Sequence, residues 1–189
     1  MRLITTAFGF LFALLFSVST SAAESANPFE IPNGAFKRNV HSALSRNGFI
    51  TVYDDDGNVA ASNEKKSLQL TIKTTTNAGG YIASIEYVAD INLGGAPNYA
   101  YMSYIRERLA VAAMFMGGFL PVDPPTFAQH VGTPLVNINL LEADAYSAAI
   151  KKNSPGSSTQ FAVHAENIVM EKSNMRQVRL TITPMERVQ

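Results

Sequence analysis

Apolar residues recur at two different periods along this chain, and each run ends at a turn signal. Phe36, Val40 and Leu44 stand four residues apart with Ala43 beside them, which predicts a short helix over 36–46 with Lys37, Arg38 and Arg46 facing outward. Asn47-Gly48 ends it. Phe49 to Tyr53 is β-rich and runs into Asp54-Asp55-Asp56-Gly57-Asn58, where the Asp-Gly step predicts a tight turn. Leu68, Leu70 and Ile72 then alternate with Gln69, Thr71 and Lys73, and Tyr81, Ala83, Ile85, Tyr87, Ala89 and Ile91 alternate with Ser84, Glu86 and Asp90. Asn77-Ala78-Gly79-Gly80 separates the two runs, so they read as a hairpin with one buried face.

Gly94-Gly95-Ala96-Pro97 breaks the alternation, and Asn98 is a suitable cap for a helix reaching about Met116. Met102, Ile105, Leu109, Ala112 or Ala113, and Met116 form its inward stripe. Its second half is apolar all round, as expected of a helix buried on most of its circumference. Gly117-Gly118 and the prolines at 121, 124 and 125 stop it. Thr133 to Leu141 alternates Val136, Ile138 and Leu140 with Asn137 and Asn139, which predicts a strand. Glu142 to Lys152 has acids at its start and lysines at its end, the polarity a helix dipole favours. Asn153 to Thr159 reads as a loop, and 160–170 with 175–183 reads as a second hairpin. The expected order is α-β-β-β-α-β-α-β-β. Strands arrive mostly as adjacent antiparallel pairs, so the class is α+β: a single antiparallel sheet of about six strands with a long buried helix packed on one face.

The ends of the chain change the picture. Met1-Arg2, the apolar run Ala7 to Val18 and the small residues Ser21-Ala22-Ala23 follow the order of a secretory signal peptide, 1–23, cleaved after Ala23. A membrane span needs about 20 apolar residues and this run has about a dozen, so no span is expected in the mature chain. Residues 24–35, with two prolines, two asparagines and a glycine, read as a leader segment, and 36–189 as a single domain. Removing 1–23 takes away Arg2 and leaves 14 basic against 15 acidic side chains, a balance without the basic footprint of nucleic-acid binding. The chain has no cysteine, hence no disulfide, no thiolate metal site and no residue to lipidate. Export to the periplasm is the expected localisation, with secretion as the alternative.

Chemistry-bearing motifs are sparse. The acidic run at 54–58 clusters hard-cation ligands, but counted from Asp54 the sixth position is Val59 and the twelfth Lys65, where a calcium loop needs glycine and glutamate. A solvated turn is expected there. His41, His130 and His164 have no zinc spacing. His164 and Glu166 share the polar face of a strand whose other face carries Phe161, Val163 and Ala165. Ser62-Asn63-Glu64-Lys65 matches the Ser-x-x-Lys acylation motif without a Lys-Thr-Gly partner. No Gly-x-Ser-x-Gly, phosphate loop or dinucleotide fingerprint occurs, and no cofactor is implied.

Two groups suit contact. Tyr99, Tyr101 and Tyr104 cluster at the start of the long helix, where rings with polar tips can grip a partner or simply roof the core edge. From Gly118 to Phe127, Pro121, Pro124 and Pro125 fix the backbone outside helix and central strand, and Phe119, Leu120 and Phe127 are apolar; this reads as a preorganised partner surface. The expected function is an exported, non-catalytic binding or interaction module of the bacterial envelope. Its partner is either a protein, as for an assembly accessory, inhibitor or immunity factor, or a small apolar ligand to which Met102, Met114 and Met116 adapt. The alternative is a small periplasmic hydrolase with a spatially assembled site, since such sites leave no local motif. An internal cavity favours the small ligand. A cleft joining His130 or His164 to a carboxylate and a hydroxyl favours the hydrolase.

Overall fold

In chain order the elements are α1 (Asn33–Arg46), β1 (Ile50–Tyr53), β2 (Val59–Ser62), β3 (Leu68–Thr76), β4 (Ile82–Asn92), α2 (Tyr99–Gly117), α3 (Pro124–Phe127), a π-helical turn (Ala128–Gly132), α4 (Thr133–Asn137), β5 (Asp144–Lys151), β6 (Gln160–Val169) and β7 (Met175–Pro184). The computed structural model describes residues 29–95, 97–151, 160–170 and 174–185. The expected signal peptide with its cleavage point, residues 24–28 of the leader, and the loop Asn153–Thr159 lie outside the described residues. No helix among the described residues is long and apolar enough to cross a membrane.

All seven strands join one antiparallel sheet in the order β1-β2-β3-β4-β7-β6-β5, so the α+β class holds with one strand more than the alternation indicates. Two strands go beyond the alternation, β2, which closes a hairpin on β1 across the 54–58 turn, and β5, while the strand expected at 133–141 is absent. Register puts apolar residues in rows on one face. One row runs Val59, Ile72, Tyr87, Leu180, Ala165, and the next runs Ala61, Leu70, Ala89, Val178. All of these are buried. The inward stripes of the helices, Val40 and Leu44 from α1 and Ile105, Leu109, Ala113 and Met116 from α2, complete this core. Tyr87 lies fully inside, where its hydroxyl donates to the Leu109 carbonyl of α2 at 3.1 Å and burial pushes its pKa up. The sheet's opposite face is polar and open: Lys73, Glu86, Thr181, His164 and Ser147 lie across five strands in one row.

Two elements differ from expectation. Thr133–Leu141 is not a strand. Its first half is helix α4, with Pro134 in the first turn, where a missing N–H is harmless, and Ile138 and Leu140 reach the core from irregular chain. Their spacing mimics strand alternation without any ladder. Conversely, Glu142–Lys152 is not a helix: 144–151 forms edge strand β5, paired to β6 along its whole length, and only Ile150 is fully buried. Alanines and end charges favour a helix there, and pairing with β6 overrides them. The corrected order is α-β-β-β-β-α-α-α-β-β-β, with the π turn between α3 and α4.

The stretch expected as a leader is partly built into the domain. Phe29 is fully buried and stacks on Phe161 with ring centroids 4.6 Å apart, Pro32 bridges to Tyr81, and α1 starts at Asn33, three residues early.

Candidate functional site

The segment after α2 sets the geometry. Asp123 caps α3 by accepting from the Thr126 N–H at 3.0 Å and the Thr126 hydroxyl at 2.9 Å, and Pro124 and Pro125 fill the first helical positions. This corrects the expectation that the prolines exclude helix, because the first turn has no intrahelical N–H bonds to lose. Phe127 then enters the core at 1% exposure against Gly117, where a Cβ would overlap its ring. Leu120, at 7%, is also core. These two residues are therefore lining and not a free contact surface. Phe119 is half-buried against the core, Pro121 is half-buried, and Pro124 and Pro125 are exposed.

Because Phe127 anchors the turn, the π-helical segment and α4 run back alongside the second half of α2. An open apolar groove of about 430 Å³ lies between them. One wall is Ala110, Val111, Met114 and Phe115 of α2; the other is Ala128, Gly132, Thr133 and Val136. Gly132 lets this wall close in, since a Cβ there would stand 3.1 Å from the Met114 sulfur. Glu107, exposed at one end, is the groove's single ionisable residue. As expected, the second half of α2 is buried on most of its circumference, through Leu109, Ala110, Ala112, Ala113 and Met116; the groove lies on the remaining side, where Val111, Met114 and Phe115 are only partly covered. Of the methionines expected to adapt to a ligand, Met102 and Met116 are core and only Met114 lines the groove. The all-round apolar half of α2 is the sequence signal for this wall; the opposite wall has none, because a π turn has no distinct pattern.

The tyrosines lie elsewhere. Tyr99 is 82% exposed, Tyr104 is exposed, and the Tyr101 hydroxyl donates to the Asn92 carbonyl at 2.6 Å. They sit at the start of α2, about 28 Å from its end at the helical rise. The two expected contact groups thus do not form one surface.

The histidines each find a local partner. His41 stacks on Tyr53 with centroids 4.8 Å apart, and His130 Nδ1 lies 3.4 Å from the Tyr146 hydroxyl. On the open sheet face, His164 Nδ1 and the Ser147 hydroxyl are 2.9 Å apart, and His164 Nε2 is 3.9 Å from Glu166. Glu166 also faces Arg179 at 3.4 Å, and Arg179 reaches Glu86 at 3.2 Å. Hydroxyl, imidazole and carboxylate thus meet, but on an exposed sheet face and not in a cleft.

The 54–58 segment is bonded as a turn. The Asp54 carboxylate accepts from the Asn58 N–H at 2.6 Å and from the Asn58 side-chain amide at 3.1 Å, and Gly57 takes a φ of 71°. The backbone hydrogen bond from Asn58 holds the Asp54 pKa below its ordinary value. Comparison with protein-family models, characterised proteins and solved structures finds no match, so the geometry of the groove and of the sheet face is what bears on function.

Proposed function

We propose that this chain is an exported, non-catalytic binding module of the bacterial envelope, and that the groove between α2 and α4 takes a small, mostly apolar molecule. The observation that carries the reading is the groove itself. It is concave, falls in the volume range of small-molecule sites, and presents Val111, Met114, Phe115 and Val136 with only one ionisable group at its rim. Met114 can change rotamer to follow a ligand's shape, and transfer of apolar surface out of water supplies the affinity. The signal-like pattern of residues 1–23 supports export.

The test is titration with a neutral fluorescent naphthylamine, read by its blue shift. Saturable binding is expected, weakened about tenfold or more in Ala128→Trp, which fills the groove, with the thermal midpoint nearly unchanged. Absence of saturable binding, or equal binding by the variant, overturns the small-ligand reading. Crosslinking that captures a protein in the parent and not in the variant would replace the small ligand with a protein partner.

A second reading, a small periplasmic hydrolase, has one observation in its favour, the bonded Ser147–His164 pair beside Glu166. Weighing against it, the carboxylate is beyond hydrogen-bond distance of the imidazole and is shared with Arg179. The site also lies open to water, which weakens every electrostatic contribution to a transition state. Covalent labelling of Ser147 by a serine-directed phosphonate would reverse this ranking.

A further inference from the structure

The groove between α2 and α4 carries its charge at one end only. Val111 follows Glu107 by four residues along α2, and Met114 and Phe115 follow Val111 by three and four, so the apolar wall lies beyond Glu107 on one face of the helix. From Glu107 to Phe115 that wall runs about 12 Å. Three residues before Glu107, on the same face, stands Tyr104, which is 44% exposed. Helix side chains lean towards the N-terminus, which carries the Glu107 carboxylate over the turn of Tyr104 and away from the apolar wall.

Among the described residues Glu107 makes no hydrogen bond or ion pair. The cations beside it on α2 do not supply one. The Arg108 guanidinium lies 3.9 Å from the centre of the Phe49 ring and donates to the Asn47 carbonyl, and Arg106 does not line the groove. A free carboxylate at the mouth of an apolar groove discriminates among ligands that share one tail. An anionic head placed there meets like charge, and a neutral head gains nothing from it. A cationic head pairs with Glu107, and an exposed aromatic ring one turn away adds the attraction that rings have for ammonium groups.

We propose that the groove's ligand is a cationic amphiphile, with an apolar tail laid along Val111, Met114 and Phe115 and a single amine or quaternary ammonium head held at Glu107 and Tyr104. The proposal rests on the reading of the groove as a small-molecule site. It adds the charge of that molecule and the direction in which it lies.

Octyltrimethylammonium, octanol and octanoate differ only in the head, and calorimetric titration of the parent protein with each, below its micelle concentration, is the test. The ammonium should bind at least about fivefold tighter than the alcohol, and the alcohol tighter than the carboxylate. At about 1 M salt, where the screening length is about 3 Å, the ammonium's advantage should shrink without weakening the alcohol. Glu107→Gln should bring the ammonium down towards the alcohol and strengthen octanoate, and Tyr104→Ala should weaken the ammonium alone. Ala128→Trp should weaken all three. If none of the three binds the parent, the small-molecule reading of the groove falls and the cationic ligand with it. If all three bind and Ala128→Trp weakens them, but they bind equally or octanoate binds tightest, the groove reading stands and the cationic ligand alone is overturned. An ammonium preference that persists in Glu107→Gln places the head elsewhere and overturns the proposal equally.

Discussion

Gly117 and Phe127 act as a pair, because the ring occupies the space a side chain at 117 would need. Gly117→Ala overpacks this contact and should lower stability by about 1–3 kcal/mol, and Phe127→Ala opens a cavity and should lower it by about 3–5 kcal/mol. In the Phe127→Ala background the added methyl at 117 has room, so the two losses should not sum. Urea midpoints of the four proteins check this; additive losses would show that helix and ring do not compete for one space. A second residue-scale expectation concerns Asp54. Its pKa is lowered in the folded state, so its hydrogen bonds add stability above the unfolded value of 3.8 that is lost as pH falls through the folded value. Titration of the Asp54 carboxyl followed by NMR should give a midpoint under 3.8, and one at or above it would contradict the turn geometry.

At the scale of elements, α2 depends on its cap. The Asn98 side chain accepts from the Tyr101 N–H at 2.9 Å, so Asn98→Ala should reduce stability by about 1 kcal/mol, with Asn98→Asp retaining most of it, by thermal denaturation. This cap and the stripe on α2 were legible in the sequence because both are local, a side chain meeting its own helix and a 3.6-residue period. The β3–β4 and β6–β7 strands were legible for the same reason, since each carries at least three buried residues at alternate positions. Illegible were the elements whose state is set from outside. β5 is held by β6, which is distant in neither sequence nor space but leaves no mark on the composition of 144–151. α4 borrows its place from the Phe127 anchor and shows alternation only because Ile138 and Leu140 follow it into the core. The candidate groove inherits this division: its α2 wall was visible as an apolar helix half, while its other wall follows from α3 and the π turn, which the prolines at 124 and 125 disguised as loop.

For the whole molecule, the contact that ties the start of the domain to its end is Phe29 on Phe161. Phe29 precedes the expected domain start at 36, yet it is fully buried beneath a strand near the far end of the chain. Two polar links tie the same segment to the β3–β4 hairpin as well, the Asn33 N–H to the Gly80 carbonyl at 3.1 Å and the Thr74 hydroxyl to the Asn33 side chain at 2.7 Å. A true leader would make no such contacts, and its removal would leave stability unchanged. Burial of the ring predicts otherwise: Phe29→Ala should cost about 3–5 kcal/mol, a large share of the 5–15 kcal/mol typical of a domain. A chain starting at Phe36 should lose at least as much, since it also lacks Pro32 and the first turn of α1. Both variants should unfold in one transition, because the ring packs on the same cluster that α2 and the central strands share. Equilibrium urea unfolding of the two variants beside the parent measures this. Midpoints within about 0.5 kcal/mol of the parent would return residues 29–35 to the status of a leader and place the domain boundary at 36.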